Sequence, residues 1–230
     1  MMRLLLLVAA LALLPAAAAE PPEAGSAEAL AERMLEALGG RAAWAGASGT
    51  INDSQQNRTG EPAELRSVIT MDFTRPRFRI ENRAPGFFSE RVVDGERSWR
   101  RTSAGLIEDL PADFYAEEMR WYGAHLYRSL HRIAARDPAL AYRLGADGRL
   151  EVLEDGVRLI WLRLDARGEP YAFGQWDDET GSICGPWTFE AGGLRHPAWV
   201  SSPDGTWRAA IKALSVSPAL PDALFARPAD

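Results

Sequence analysis

The sequence predicts an α+β domain in which antiparallel strands form most of the structure. Turn signals such as Asp94-Gly95 and Asp155-Gly156 recur from Thr50 onward, and closely spaced turns of this kind indicate antiparallel hairpins. Several segments between these turns alternate apolar and polar residues, whereas two other segments carry apolar residues at helical spacing. Since no internal repeat or change of composition divides residues 26–230, we assign them to a single domain.

Residues 1–19 have the features of a secretory signal peptide. Arg3 precedes an apolar run of eleven residues, 4–14, which is followed by Pro15 and a series of alanines. The run is shorter than the ~20 residues that span a bilayer core, and small residues suit cleavage after Ala19. We therefore expect a mature chain that starts at Glu20 and continues through a linker over residues 20–25.

Cysteine content and charge exclude several classes of protein. A bacterial lipoprotein has a cysteine at its first mature position, but the single cysteine here is Cys184. One cysteine cannot form an internal disulfide, so the core must hold the domain together. The formal net charge is −6 and the arginines are dispersed, which argues against nucleic acid and against a polybasic membrane patch. No later segment resembles a transmembrane helix, so stable membrane insertion is not expected.

The first predicted element is a helix from Ser26 to about Leu38. Ser26 suits an N-cap, apolar residues follow at steps of three and four, and Gly39-Gly40 ends the pattern. A short helical turn over residues 41–45 would place Trp44 against the surface that this helix covers.

The strands that follow predict a sheet with one apolar and one solvated face. ELRSVITMDF, residues 64–73, shows the clearest alternation of apolar and polar residues, and RFRIENR, residues 77–83, repeats it, as expected for an antiparallel sheet with one wet side. The residues expected on the solvated face are Glu64, Arg66, Thr70, Asp72, Arg77, Arg79 and Glu81. In VRLIWLRL, residues 157–164, the alternation fails because Leu159 and Trp161 oppose Ile160 and Leu162, which predicts a strand covered on both sides.

Residues 111–137 interrupt the strands with a helical segment. Pro111 and Asp113 suit its start, and Asp137-Pro138 suits its end. Its apolar residues at steps of three and four should lie on the sheet; they are Tyr115, Met119, Tyr122, Leu126, Leu130 and Ile133. Gly123 lies in the middle and favours a break into two shorter helices.

No motif in the sequence indicates catalysis, a metal site or a cofactor. His125 and His131 are six residues apart and do not share a helix face, and His196 has no partner at metal-ligand spacing. Cys184 in GSICGPW has the surroundings of a buried structural residue. The adjacent carboxylates of WDDETG, residues 176–181, fit a solvated turn better than a calcium loop or a glycosidase pair. We therefore predict a non-enzymatic protein without a cofactor.

The chain contains eight tryptophans, and all of them follow the predicted signal peptide. Tryptophan fills cores in many sheet proteins, but in a curved sheet it also lines cavities for apolar ligands or stacks on sugars. Both interpretations stay open from the sequence.

Several segments together resemble the periplasmic lipoprotein-carrier superfamily, the LolA/LolB-like fold that also includes RseB-type envelope-stress regulators. They are ALGGRAAW, SGTIND, VVDGERSW, LDARGEP and the closing RHPAWVSSPDGTWRAAIKALSVSPALPDALFARP. The resemblance implies a periplasmic location and an open antiparallel half-barrel. It also implies that the N-terminal helix and the inserted helical segment cover the apolar concave face of this half-barrel.

The function implied by the resemblance is that of a soluble binder of a lipid, a lipoprotein acyl chain or another apolar ligand. Shielding such a chain from water is worth ~0.8 kcal/mol per CH2 group. The predicted cavity lining is Leu65, Ile69, Met71, Phe73, Phe78, Ile80, Trp99, Tyr122, Leu126, Ile160, Leu162 and Trp187. An envelope regulator that binds a partner protein is an alternative, and a periplasmic hydrolase with carboxylates from distant strands is another.

The apolar C-terminal segment LPDALFARP is expected to be a structural lock. A last strand over residues 207–216 would place Trp207 and Ile211 on one face, and the following prolines would end its pairing because they lack an N–H group. Leu224 and Phe225 can then fold back on one end of the sheet.

Overall fold

The computed structural model describes residues 25–60, 64–189, 192–217 and 219–228. The predicted signal peptide, residues 1–19, and residues 20–24 of the predicted linker lie outside the described residues. No helix within these ranges combines the length and the hydrophobicity that a membrane span requires.

The described residues contain four α-helices, one short 3-10 helix and fifteen strands. The helices are α1 (Ala27–Ala37), α2 (Arg41–Gly46), α3 (Ala112–Gly123) and α4 (Leu126–Ala134), and the 3-10 helix spans Asp222–Leu224. The first strands are β1 (Gly49–Arg58), β2 (Leu65–Asp72), β3 (Arg77–Ala84), β4 (Phe87–Asp94), β5 (Trp99–Arg101) and β6 (Ile107–Asp109). After the helical segment come β7 (Leu140–Leu144), β8 (Leu150–Glu154), β9 (Val157–Leu164), β10 (Pro170–Gln175), β11 (Ser182–Cys184), β12 (Trp187–Phe189), β13 (Arg195–Pro197), β14 (Trp199–Ser201) and β15 (Trp207–Ser217).

Thirteen of these strands form one antiparallel sheet in the described part of the chain, in the order β6-β5-β4-β3-β2-β1-β15-β14-β11-β10-β9-β8-β7. The first and last long strands, β1 and β15, pair at its centre. Strands β6 and β7 are its edges, so the sheet is not closed, and the helices pack on one face. We call this the inner face and the opposite one the outer face. The predicted α+β open half-barrel is confirmed.

Helix α1 begins and ends where the sequence predicts. The Ser26 hydroxyl accepts a hydrogen bond from the Ala29 N–H at 3.1 Å, and Met34 and Leu35 are fully buried. Gly39 follows the helix with a φ of 106° and lies so close to Gly193 that a Cβ atom would be 2.0 Å from its carbonyl oxygen. Only glycine fits this position, because both the backbone conformation and the close contact exclude a side chain.

The helical segment divides into α3 and α4 at Gly123, as predicted. Ala124 and His125 separate the two helices, and His125 has the extended backbone of a helix N-cap. Tyr122, Leu126, Leu130 and Ile133 are buried against the sheet, whereas Tyr115 and Met119 are half-buried beside them. The Tyr122 hydroxyl donates to the carbonyl oxygens of Asp72 at 2.7 Å and Arg75 at 3.0 Å. This contact fixes α3 to the turn between β2 and β3.

The outer face is not solvated throughout, so part of the prediction for it is wrong. Thr70, Asp72 and Arg77, expected in water, are buried. The physical reason is the C-terminal segment, residues 219–228, which folds back over the outer face and excludes water there. The alternation in β2 and β3 locates the apolar inner face correctly, but a partly polar outer face can also be covered when its polar groups have partners.

Arg77 connects the sheet to this C-terminal segment. Its guanidinium donates to Asp72 Oδ2 at 2.9 Å, to Asp222 Oδ1 at 2.8 Å and to the Leu220 carbonyl oxygen at 3.0 Å. The Phe225 ring lies 4.1 Å from the guanidinium carbon. Leu220 and Phe225 form a second apolar cluster with residues of β4 and β5, and Leu224 packs against it. The expected fold-back of Leu224 and Phe225 is thus confirmed.

Strand β9 is covered on both sides, as predicted. Ile160 and Leu162 face the main core, and Leu159 and Trp161 are buried on the outer face. The WDDETG loop covers Trp161, whose indole N–H donates to the Asp178 carbonyl oxygen at 2.7 Å. This loop therefore has a structural role in addition to its exposed carboxylates.

Candidate functional site

A cavity of about 470 Å3 lies on the inner face between the sheet and the junction of α3 and α4. Its size falls within the ~300–1,000 Å3 typical of small-molecule sites. The helices fill the rest of the inner face with large apolar side chains, whereas β1 presents short polar side chains at this point. Because Asn52 and Ser54 do not reach the helices, the space above them stays open.

The lining combines apolar and polar side chains on the same wall. The apolar and aromatic ones are Leu65, Ile69, Ile80, Trp121, Leu126, Tyr127, Phe173, Val200, Trp207, Ala209 and Ile211. The polar ones are Asn52, Ser54, Gln56, Arg58, Ser67, Asn82, Arg91, His125, Gln175 and Ser182.

The strand register arranges the polar side chains in a row across the sheet. Ser54 of β1 is opposite Ser67 of β2, which in turn is opposite Asn82 of β3. We call Ser54, Ser67 and Asn82 the polar row. Side chains on the same face of neighbouring strands are ~5 Å apart when directly opposite. Ser54 and Ser67 are buried, the Ser54 hydroxyl donates to the Ser67 carbonyl oxygen at 3.3 Å, and Asn82 is half-buried.

A second row lies beside the polar row, two residues along each strand. Asn52 of β1 is opposite Ile69, and Ile69 is opposite Ile80. On β2 and β3 the floor of the cavity therefore changes from hydroxyl and amide groups to branched aliphatic groups within two residues, whereas β1 keeps an amide. This arrangement suits a molecule with both apolar and polar parts.

Three buried polar atoms in the cavity wall have no geometrically good hydrogen bond among the described residues. They are Asn52 Oδ1, His125 Nδ1 and Arg91 Nε, and the last of these is held in an ion pair with Glu118. The His125 ring lies 4.9 Å from the Trp121 ring and 5.5 Å from the Tyr127 ring, edge-on to both. Removal of the His125 ring from water, and to a smaller extent the charge of Arg128, lowers the pKa of His125 to about 3. The imidazole is therefore neutral at physiological pH.

The cavity lining contains two arginines, Arg58 and Arg91. Arg58 lies at the exposed end of β1, and Arg91 is half-buried and lies deeper in the wall. Arg91 Nε lies 2.8 Å from Glu118 Oε1, and Glu118 of α3 is buried. The pair balances its own charge, so the described lining carries no excess charge apart from the exposed Arg58.

Four of the twelve residues predicted to line a cavity do so: Leu65, Ile69, Ile80 and Leu126. Seven others lie in the packed core under the helices, namely Met71, Phe73, Phe78, Tyr122, Ile160, Leu162 and Trp187. The placement of Trp99 was wrong: it lies on the outer face under Phe225, whose carbonyl oxygen accepts from its indole N–H at 3.4 Å. That the four lining residues contact a ligand stays a prediction.

Sequence reasoning missed the polar part of the wall and two of its tryptophans. Asn52, Ser54 and Gln56 lie in SGTINDSQQN, where an apolar inner face would call for apolar residues. The one signal in this segment was the apolar residue Ile51. It packs against the outer cluster, and because side chains alternate along a strand, the even-numbered residues of β1 face inward. Trp121 and Trp207 also line the cavity, whereas Trp44, Trp161 and Trp187 are core residues.

The remaining titratable candidates are separate from this cavity. His131 Nδ1 lies 3.0 Å from the Trp44 carbonyl oxygen, and His196 is buried in β13. Burial raises the pKa of the Cys184 thiol to about 12, which keeps it protonated and unreactive. In the described ranges no three His, Cys, Asp or Glu side chains are grouped closely enough to hold a metal ion.

Comparisons with known proteins do not assign the chain to a family. No family model matches it, and no curated protein matches it either. Among solved structures, a DUF1329 family protein from Desulfovibrio piger is 10% identical with a TM-score of 0.47, over 86% of this chain and 95% of that chain. An uncharacterized conserved protein from Thermus thermophilus is 12% identical with a TM-score of 0.35, over 88% and 94%.

The complex structure of Pseudomonas aeruginosa MucA/MucB is also similar, with 14% identity and a TM-score of 0.31 over 86% of this chain and 61% of that chain. Similarities of this size carry no functional argument. The resemblance to the lipoprotein-carrier superfamily therefore stays a prediction from sequence motifs.

Proposed function

We propose that this protein is an exported, non-enzymatic binding protein that holds the apolar part of a lipid or related amphiphile in the inner-face cavity. The observation that carries the proposal is the open cavity of about 470 Å3 beneath the α3–α4 junction. The predicted signal peptide supports a periplasmic location.

The apolar wall supports the lipid part of the proposal. Leu65, Ile69, Ile80 and Leu126 come from two strands and a helix and surround the same space. Transfer of a methylene group from water to such surroundings is worth ~0.8 kcal/mol, so eight buried methylenes would contribute roughly 6 kcal/mol before the entropy of association is subtracted.

The titratable groups around the cavity support binding rather than catalysis. A general base works best when its pKa is near the operating pH, but the pKa of His125 is lowered to about 3. Arg91 is paired with Glu118, and no acid–base pair of the kind a hydrolase needs lies in the described lining.

The proposal is tested by the lipids that the protein carries when it is purified from the periplasm. Ile69→Trp would fill the cavity, and Leu106→Trp at an exposed loop position is the matched control. We expect organic extracts of the wild type and of Leu106→Trp to contain a stoichiometric lipid by mass spectrometry, and the extract of Ile69→Trp to lack it.

Circular dichroism checks that the filled variant is folded. Equal lipid content in the folded Ile69→Trp and Leu106→Trp variants would overturn the proposal, and so would an absence of lipid from all three proteins.

A further inference from the structure

We infer that the ligand carries an uncharged, hydroxyl-rich polar group and that this group binds the polar row of the cavity and the Asn52 amide beside it. The inference rests on the proposed function and specifies the class of amphiphile. It starts from the observation that the inner face, which is apolar under α1, α2 and α4, places Ser54, Ser67 and Asn82 side by side across three strands.

A purely apolar ligand does not fit this wall. The Ser54 hydroxyl has a partner in the Ser67 carbonyl oxygen at 3.3 Å, but an apolar ligand would leave the other polar groups of the wall without partners, and each such buried group costs about 1–3 kcal/mol. Asn52 Oδ1 and His125 Nδ1 already lack partners in the described structure. A ligand that offers hydroxyl groups can donate to the amide oxygen and can either donate to or accept from the imidazole.

A charged polar group does not fit either. A buried carboxylate or ammonium group needs a counter-ion, and the deepest cation, Arg91, is already paired with Glu118 at 2.8 Å. The imidazole of His125 is neutral, and the side chains of the polar row carry no charge. Apart from the exposed Arg58 at the end of β1, the wall thus offers hydrogen bonds without net charge.

Aromatic side chains complete the surroundings of a hydroxyl-rich group. Trp121 and Trp207 both line the cavity, and the Trp207 indole N–H donates to Gln56 Oε1 at 3.3 Å, which orients the Gln56 amide. Aromatic faces and oriented amides together suit the alternating C–H and O–H groups of a sugar ring.

The inference is tested with three probes that share a dodecyl chain and differ in the polar group: dodecyl maltoside, dodecanoate and dodecyltrimethylammonium. Each is titrated below its critical micelle concentration into the mature protein, freed of lipid, and binding is followed by tryptophan fluorescence and calorimetry. We expect dodecyl maltoside to bind at least ~10-fold more tightly than either charged probe, because its polar group finds partners that the others lack.

Two variants on strand β1 locate the effect. Asn52→Leu removes a polar side chain from the cavity, and Asn57→Leu makes the same change at an exposed position that does not line it. We expect Asn52→Leu to weaken dodecyl maltoside binding by about 10-fold, as the loss of a buried hydrogen-bond partner predicts, with dodecanoate binding unchanged. Asn57→Leu should alter neither.

The possible failures are distinguishable. If the three probes bind equally, or if Asn52→Leu binds dodecyl maltoside like Asn57→Leu, the inference is wrong while the proposed function stands. If a charged probe binds most tightly, the inference is also wrong. If none of the probes binds, the proposed function itself is overturned.

Discussion

Two regions of the inner face differ in how they are filled. Under α1, α2 and α4, residues such as Met71, Leu130 and Ile160 are fully buried and pack against one another. Beside them, under the α3–α4 junction, the same strands line an open cavity with hydroxyl and amide groups. One continuous sheet thus carries a packed core and an open cavity, and on β2 and β3 the residues that face them are only two positions apart.

The largest effect is expected from removal of residues 220–230. This segment packs on the outer face of the sheet, opposite the packed region. Burying Leu220 and Phe225 contributes about 1.5–3 kcal/mol each, and leaving Arg77 without its partners in this segment costs about 3–5 kcal/mol. We therefore expect the free energy of unfolding to fall by at least ~5 kcal/mol and the melting temperature to fall with it.

A shorter truncation is the control for this prediction. Removal of residues 228–230 keeps the contacts of Leu220, Asp222 and Phe225 with the sheet, so its melting curve should stay close to that of the full chain. If both truncations melt at the same temperature as the full chain, the C-terminal segment is not a lock.

The second prediction compares substitutions that shorten an aliphatic side chain to alanine in each of the two regions. Leu130→Ala leaves a void at a fully buried site and should lower the free energy of unfolding by about 2–5 kcal/mol. Ile69→Ala enlarges an existing cavity and creates little new void, so it should lower the free energy of unfolding by only about 1–2 kcal/mol. Urea unfolding measures both values. Equal losses would show that the cavity region is packed as tightly as the core.

The third prediction concerns the pH dependence of stability. The folded protein holds His125 with its pKa lowered from 6.5 to about 3, mainly by burial, so between these values the unfolded chain binds a proton that the folded chain does not. The contribution of His125 to the free energy of unfolding should be fully present above pH 6.5. It should fall as the pH falls toward 3, by at most ~1.4 kcal/mol per pH unit.

His125→Phe isolates this contribution. Between pH 6.5 and 5, where the carboxylates are still ionised, the variant should lose less stability than the wild type when urea midpoints are compared. Parallel curves for the two proteins would mean that the imidazole is not buried in its neutral form.

The sequence predicted the packed region better than the cavity, for a physical reason. Alternation in β2 and β3 reports which residues lie on the apolar face, so Met71 and Phe78 were assigned to that face correctly, although they fill the core instead of lining a cavity. The break at Gly123 followed from helix propensity. The same alternation cannot report a covered polar surface, since buried Asp72 and Arg77 look like solvated residues until the C-terminal segment is placed over them.

The polar row was unpredictable for a related reason. Ser54, Ser67 and Asn82 are 13 and 15 residues apart along the chain, and only the strand register brings them together. A polar residue on an inner face also contradicts the pattern by which inner faces are recognised. Deviations of this kind from a local rule are expected at functional sites, so the weak alternation of SGTINDSQQN was itself informative.

The smallest effect on stability is expected for Asn52→Leu. This substitution tests directly whether a polar residue of the cavity contributes to stability as the core residues do. The substitution removes a buried oxygen that lacks a partner in the described structure and adds apolar surface beside Ile69, so we expect stability to stay equal or to rise by up to ~1 kcal/mol. If its loss stabilises the fold, Asn52 has a role other than stability, as the proposed ligand binding requires. Urea unfolding of Asn52→Leu and Asn57→Leu measures the difference; a loss of more than ~1 kcal/mol in Asn52→Leu alone would instead make Asn52 part of the structural core.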